Sequence, residues 1–198
     1  MKKQVNLANF YAAIRQTLFR NRLLASQIKG MDAIINEWNI NEHLTDLRWL
    51  AYMLATTFHE TAQTMQPIEE YGKGRGKVYG RKIKMTRVPY TLPNKLYYGR
   101  GFVQLTWYEN YAKMGRLFGI DLLNNPELAL RLDVSTKILF EGMTKGDSNF
   151  GDFTGRSLEM YFNAKVDDPI NARRIINGRD KALTISKYHN QFLAALRA

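Results

Sequence analysis

The sequence contains no cysteine and only three histidines, and these two shortages limit the chemistry that the chain can support. Without cysteine there is no disulfide framework, so the core must stabilise the fold. A zinc-protease helix needs a second histidine four residues after the first, with a glutamate beside the first. In the segment FHETAQ, residues 58–63, Gln63 stands where that second histidine would follow His59. We therefore expect no metal site.

Long apolar runs are missing as well. No stretch approaches the ~20 uninterrupted apolar residues that are needed to span a bilayer. The N-terminal segment MKKQVNLANFYAAIRQ begins with charged residues but has no apolar core of the kind found in secretory signals. These features predict a protein that stays in the cytoplasm in which it is made until another factor releases it.

Phosphate-binding loops are not evident either. The segment GKGRGK, residues 72–77, completes neither of the common glycine-rich patterns, GxxxxGK[ST] and GxGxxG. Nucleotide binding therefore has little support, and we expect no cofactor.

Positive charge, by contrast, is abundant. The chain carries 29 Lys and Arg against 18 Asp and Glu, a net charge of +11. Such a charge attracts nucleic acid, anionic membranes or acidic cell-wall polymers, although a solubilising surface excess needs no partner at all. Gly, Arg, Lys and Tyr are concentrated between Pro67 and Pro93, which predicts a loop or short hairpin able to contact nucleic acid or a sugar polymer.

Helical spacing of apolar residues dominates the rest of the chain, and few alternating runs are long enough for strands. The predicted fold is therefore mostly α, and a length of 198 residues fits one well-buried domain or at most two small lobes. The predicted helices cover residues 7–19, 31–38, 45–62, 106–118, 133–146 with a glycine near its end, and a last segment from residue 180.

The helix predicted over residues 45–62 carries a charged residue near its end. Its apolar stripe consists of Leu47, Leu50, Ala51, Leu54 and Phe58. Glu60 falls on the opposite side, with Trp49 and Met53. We expect Glu60 to lie in a semi-buried environment such as a cleft wall, where desolvation favours the protonated carboxyl group. A last-turn glutamate in solvent is the alternative.

A second carboxylate follows nine residues later. Glu69 comes after Pro67 and is therefore off the helix. Hydrolysis of a glycosidic bond needs one carboxylic acid to protonate the leaving oxygen and one carboxylate to activate water or attack. Glu60 and Glu69 are thus a candidate pair, in which Glu69, in its Gly- and Lys-rich loop, should ionise normally.

Several segments together resemble glycoside hydrolase family 19, which includes plant class I and II chitinases and many phage endolysins. The segments are FHET, IEE, YYGRGFVQLTWYENY, GIDLLNNPELAL and NARRIINGRD, and the match runs from about Leu50 to Leu196. The C-terminal part, from FTGRSLEMYFN onward, is more similar to the endolysin branch. The sequence departs from the family where glycines often follow HET, because Ala62 and Gln63 stand there. It also lacks the cysteines that form the disulfides of plant members.

The resemblance implies a single catalytic domain over residues 1–198 without a separate wall-binding domain. It also implies that this domain is mostly α, two-lobed and lysozyme-like, with a small hairpin and a central sugar groove between the lobes. It implies that Glu60 is the general acid and Glu69 the general base, with the neighbouring Glu70 as the alternative base. Thr106 would help to hold the attacking water, although its spacing to Glu109 also fits a helix-capping box. The implied sugar-binding residues are Gln104, Asn110, Asn177, Tyr98, Arg100 and Trp107.

The hypothesis that we favour from the sequence is a phage-type endolysin that cuts β-1,4 bonds of bacterial peptidoglycan with inversion and lyses the host. Its partners would be peptidoglycan strands and an anionic outer membrane, with no nucleic acid, and it would act as a monomer. It would remain in the host cytoplasm until holin-dependent release to the periplasm. The alternatives are a chitinase and a non-catalytic basic module that binds cell wall or nucleic acid. The last helix is amphipathic, so it either packs on the core, which we favour, or disturbs an outer membrane.

Overall fold

The computed structural model describes residues 4–144 and 153–198. Within these residues the α-helices are α1 (Leu7–Thr17), α2 (Ala25–Ile40), α3 (Leu47–Glu60), α4 (Tyr108–Phe118), α5 (Leu132–Met143) and α6 (Ala182–Arg197). Two short antiparallel strands, β1 (Ile68–Glu69) and β2 (Arg100–Gly101), pair Ile68 with Gly101 and Glu69 with Arg100. The predicted mostly α fold with a small hairpin is confirmed. Among the described residues, every helix is too short or too polar to cross a bilayer.

The chain divides into two compact units. The helical unit comprises Met1–Met65 and Phe140–Ala198, and the loop-rich unit comprises Gln66–Leu139. The helical unit contains α1, α2, α3 and α6, whereas the loop-rich unit contains both strands and α4. The second boundary between the units, between Leu139 and Phe140, falls within α5.

Helix α3 is the centre of the helical unit. It begins after Asp46, whose carboxylate accepts the backbone N–H of Arg48 at 3.0 Å, so the predicted start at Thr45 is too early. Every residue from Leu50 to Phe58 is buried. A helix that is covered all round lies inside a core, and here α2 and α6 both pack on α3. The single apolar stripe of the prediction is therefore only part of the buried surface.

Helix α6 packs against α3 and α1 through aromatic side chains. The ring of Phe192 lies 5.9 Å from that of Phe58 and 6.4 Å from that of Phe10. Ile185 and Leu196 on the same face of α6 are also buried. The core-packing interpretation of this helix is confirmed, since its apolar face is occupied by neighbouring helices.

The loop-rich unit contains the Gly- and Lys-rich segment, which forms turns around a short 3₁₀ helix, Val78–Arg81. The backbone N–H of Lys84 donates to the carbonyl of Val88 at 2.9 Å and closes a small hairpin, as predicted. Two glycines meet nearby: a Cβ atom on Gly80 would lie 2.0 Å from the carbonyl oxygen of Gly74. This backbone contact excludes any larger residue at position 80.

Several predicted helix boundaries are wrong. Helix α1 ends at Thr17 rather than residue 19, and α2 begins six residues earlier than predicted because the Gln27 side chain accepts the Leu24 N–H at 2.8 Å and caps it. Helix α6 begins at Ala182, after Lys181 in a left-handed conformation with φ of 56°. The glycine expected near the end of α5, Gly146, lies outside the described residues.

Candidate active site

Glu60 is the last residue of α3 and lies in the helical unit. Its side chain is 14% exposed, and its carboxylate accepts a hydrogen bond from Nη1 of Arg173 at 2.5 Å. The semi-buried environment that we expected is therefore confirmed, and the solvent-exposed alternative is wrong. Arg173 is only 2% exposed and is held in turn by the carbonyl of Asp180, which accepts its Nε–H at 2.8 Å.

Arg173 is the partner that the sequence did not reveal. It lies 113 residues from Glu60 in the chain, within the short 3₁₀ helix Asn171–Ile175. A guanidinium in contact with a carboxyl group stabilises its charged form, whereas burial alone stabilises the protonated form. Next to this pair, burial lowers the pKa of His59, so its ring stays neutral at neutral pH.

Glu69 lies in β1 of the loop-rich unit and is surrounded by donors. The hydroxyl of Tyr98 donates to Oε1 at 2.8 Å, Nζ of Lys73 lies 3.2 Å from Oε2, and Nε of Arg100 lies 3.4 Å from Oε1. The hydrogen bond from Tyr98, followed by the contacts with Lys73 and Arg100, lowers the pKa of Glu69. The expectation of ordinary ionisation is therefore wrong, because this carboxylate keeps its charge to lower pH.

Glu70 has a different set of partners. Tyr79 donates its hydroxyl to Oε1 at 3.0 Å, and the backbone N–H of Gly99 donates to Oε2 at 3.2 Å. Among the described residues no Lys or Arg lies within ion-pair distance of this carboxylate, in contrast to Glu69. Both adjacent glutamates are thus fixed by hydrogen bonds, but only Glu69 is next to cations.

Arg100 and Tyr98, which both contact the Glu69 carboxylate, also contact each other. Arg100 is 5% exposed, and its guanidinium carbon lies 3.7 Å from the centre of the Tyr98 ring. Its Nη1 also donates to the hydroxyl of Tyr111 at 3.0 Å. Such a buried cation on an aromatic face is well placed to orient Glu69.

Thr106 is not the N-cap of α4, so the capping alternative is wrong. The helix starts at Tyr108, and the flanking residue is Trp107 at φ 77°, without a side-chain cap hydrogen bond. Glu109, the other residue of the supposed capping box, instead accepts the backbone N–H of Met85 at 2.9 Å. The Thr106 carbonyl accepts Nδ2 of Asn110 at 2.9 Å. The hydroxyl of Thr106 is therefore not needed for the start of α4.

The remaining predicted sugar-binding residues lie in both units. Nε2 of Gln104 donates to the carbonyls of Ile68 at 3.1 Å and Gly101 at 3.2 Å, so this side chain holds β1 to the turn after β2. The ring of Trp107 meets that of Tyr79 edge-on at 5.5 Å. Asn177 is exposed in the helical unit, and its backbone N–H bonds the Arg173 carbonyl at 3.0 Å. The described residues include no cluster of three or more His, Asp or Glu side chains suited to a metal ion.

Solved structures of chitinases have the same fold. A bacterial family 19 chitinase superposes with a TM-score of 0.65 at 24% identity, over 98% of this chain and 95% of its own. Chitinase C from Streptomyces griseus HUT6037 gives a TM-score of 0.63 at 24% identity, over 98% of this chain and 77% of its own. At this identity the likeness concerns the fold.

Curated plant proteins are similar over shorter stretches. Endochitinase 2 of Gossypium hirsutum is 58% identical over 98 residues, which cover 44% of this chain and 32% of the cotton protein. Endochitinase 1 of Theobroma cacao is 41% identical over 93 residues, covering 42% of this chain and 28% of its own. Inactive chitinase-like protein 1 of Hevea brasiliensis is 58% identical over 36 residues, 18% of this chain and 12% of its own. The matches thus span about a third or less of each relative.

The sequence profile described as chitinase class I, that of glycoside hydrolase family 19, matches residues 39–147. That region includes Glu60, Glu69 and Thr106 and more than half of the chain. This protein belongs to glycoside hydrolase family 19.

Proposed function

We propose that this protein is a glycosidase that hydrolyses β-1,4-linked polymers of N-acetylated aminosugars. The observation that carries the proposal is the semi-buried carboxyl group of Glu60, bonded to Arg173, in the HET segment of a chain of this family. Membership alone is not sufficient support, because one similar relative is named an inactive chitinase-like protein.

Chitin is the substrate that we propose first. The curated relatives with the longest matches quoted above are named endochitinases, and the similar solved structures are chitinases. The endolysin hypothesis from the sequence therefore takes second place. One observation still favours peptidoglycan as the second candidate: the net charge of +11 would attract an anionic cell wall more strongly than neutral chitin.

In the proposed mechanism Glu60 is the general acid. It would protonate the leaving oxygen and become a carboxylate, and Arg173, at 2.5 Å, would stabilise the charge that remains.

The proposed base is Glu69 or Glu70. A lowered pKa makes a carboxylate a weaker base, which counts against Glu69. Glu70 accepts hydrogen bonds from Tyr79 and Gly99 but lies beside no cation among the described residues, which counts in its favour. Thr106 remains the proposed partner of the attacking water, since its hydroxyl is not needed for capping.

The test compares four single variants on soluble chitin oligosaccharides and on purified peptidoglycan. We expect Glu60→Gln to lower kcat roughly 10²–10⁴-fold, the usual contribution of a general acid. One of Glu69→Gln and Glu70→Gln should lower it by a similar factor and thereby identify the base. Glu42→Gln, which removes an exposed carboxylate of the helical unit, should leave kcat unchanged.

The same assays decide between the hypotheses. Cleavage of the oligosaccharides without release of peptidoglycan fragments supports a chitinase, and the reverse result supports the peptidoglycan hydrolase. Inversion predicts that the first product formed is the α-anomer, which proton NMR detects. A wild-type protein that binds either polymer but cuts neither would contradict the proposal and leave the non-catalytic module.

A further inference from the structure

Positive charge is concentrated in one segment of the loop-rich unit. Residues 71–95 contain eight Lys and Arg and no Asp or Glu, and the next acidic residue along the chain is Glu109. The segment follows directly after Glu69 and Glu70. Its charge is therefore uncompensated within its own sequence.

Most of these cations point into solvent without an acidic partner. The exposed ones are Lys73, Arg75, Lys77, Arg81, Arg87 and Lys95. Within residues 4–144 and 153–198, Lys73 is the only one of the eight that lies within 4.0 Å of a carboxylate, that of Glu69. Lys84 instead lies 4.5 Å from the centre of the Tyr108 ring, and Lys82 bonds the side chain of Asn94.

Large apolar side chains are exposed in the same segment as the cations. The exposed fractions are 85% for Tyr71, 77% for Leu92 and 55% for Val88. Single exposed apolar residues are common, but here three of them lie within the same 25 residues as eight cations. Tyrosine and aliphatic side chains beside Lys and Arg are the composition that binds at the interface of an anionic bilayer.

The segment is held in shape by its own backbone. The Lys84–Val88 hydrogen bond closes one turn, and the N–H of Tyr90 donates to the carbonyl of Lys82 at 3.0 Å. The close contact of Gly74 and Gly80 fixes another turn. A surface that is already ordered loses little conformational entropy when it binds.

We propose that this basic loop surface, residues 71–95, binds an anionic lipid surface. The cations would face the phosphate groups, while Tyr71, Val88 and Leu92 would enter the layer between the headgroups and the acyl chains. Nucleic acid would satisfy the cations but gives aliphatic side chains such as Leu92 no comparable environment. This surface is additional to the proposed glycosidase function, since the carboxylates proposed for catalysis lie outside it.

The experiment measures co-sedimentation of the whole protein with vesicles of phosphatidylcholine, with and without phosphatidylglycerol. We expect binding only to the anionic vesicles, and weaker binding at half-molar salt. The triple variant Arg75→Gln, Arg81→Gln, Arg87→Gln should bind roughly 100-fold more weakly, since each cation near an anionic surface contributes roughly fivefold.

A matched control separates this surface from net charge. The triple variant Arg20→Gln, Arg22→Gln, Lys187→Gln removes the same charge from exposed residues of the helical unit. It should retain most of the binding, and an equal loss in both triple variants would overturn the proposal. All variants should retain the wild-type melting temperature and the wild-type rate on soluble chitin oligosaccharides, so failure of the proposed function would be seen separately.

A single variant tests the apolar part of the surface. Leu92→Asn leaves every charge in place and should weaken binding to anionic vesicles several-fold. Unchanged binding would show a purely ionic surface and overturn the lipid proposal. Tighter binding of the wild-type protein to a DNA duplex than to the anionic vesicles, at the same salt, would overturn it as well.

Discussion

The two units hold their glutamates in opposite ways. Glu60 is the last residue of α3, whose residues from Leu50 to Phe58 are buried, and among the described residues its ion-pair partner is Arg173, which is 2% exposed. Glu69 lies on a two-residue strand and is 31% exposed, and three side chains, those of Tyr98, Lys73 and Arg100, contact its carboxylate. Within residues 4–144 and 153–198, loss of Arg173 would leave the semi-buried Glu60 without an ion pair, whereas loss of one partner of Glu69 would leave two others. The comparison teaches that, among the described contacts, the position of Glu60 depends on one ion pair and that of Glu69 on several donors.

Removing the cation of the helical unit is the strongest test of this difference. Arg173→Gln leaves Glu60 semi-buried without its ion pair, and we expect the free energy of unfolding to fall by about 3–5 kcal/mol. Denaturant unfolding of the variant and of the wild-type protein measures this difference in free energy. Adding Glu60→Gln should restore part of the loss, because the unpaired charge is removed as well. Arg174→Gln, which removes the same charge from the next residue, should have little effect; equal losses would refute the dependence on a single contact.

Acid should destabilise the helical unit through His189 on α6. Burial lowers the pKa of His189 to about 4, and its ring stacks on Phe162 at 5.1 Å. The unfolded chain takes up this proton below pH ~6.5, so the stability is complete above that pH and is lost as the pH falls to about 4. The loss should be about 3 kcal/mol. His189→Phe should remove this slope between pH 6.5 and 4, while His43→Gln, at an exposed position, should leave it unchanged.

The loop-rich unit should respond less to the loss of one donor. Tyr98→Phe removes the largest cause of the lowered pKa of Glu69 and leaves Lys73 and Arg100 in place. A lowered carboxyl pKa adds stability that is present above the unfolded value, near 4.5, and is lost as the pH falls through the folded value. The variant should therefore lose less stability than wild type between pH 7 and pH 3. Since Glu69 is partly exposed, the difference should stay below about 1 kcal/mol; a larger change would mean that Tyr98 dominates the cluster.

Thr106→Ala should have the smallest effect on stability. Thr106 does not cap α4, so the free energy of unfolding should stay within about 0.5 kcal/mol of the wild-type value. The melting temperature should accordingly change little. The rate on chitin oligosaccharides should nevertheless fall if its hydroxyl holds the attacking water, with Thr106→Ser as the control that keeps the hydroxyl. A lowered melting temperature with an unchanged rate would reverse this assignment.

Local sequence patterns predicted what depends on neighbouring residues. The periodic apolar residues revealed α3 and α6 and placed Glu60 in a semi-buried position, and the glycine- and lysine-rich composition revealed the loop after Pro67. The HET and YYGRG segments identified the family. These features all depend on residues that are close in sequence.

The contacts around the candidate catalytic residues could not be predicted in this way. Arg173 reaches Glu60 across 113 residues, and Tyr98 reaches Glu69 across 29. No local spacing reveals such pairs. The expected capping box failed for the same reason, because Glu109 bonds the distant N–H of Met85 instead of the start of its own helix.

The contact between Gly74 and Gly80 affects how the basic loop surface, residues 71–95, can change during evolution. Because Gly74 and Gly80 fix this part of the backbone, the side chains at positions 75 and 81, which have ordinary negative φ, can change without altering the turn. Arg87, in contrast, has a φ of 67°, where few residue types are favoured. A lineage could then gain or lose affinity for a charged target one residue at a time while its fold and its carboxylates are retained. A library that randomises positions 75 and 81 and keeps both glycines and Arg87 should accordingly give mostly folded proteins with widely varied binding.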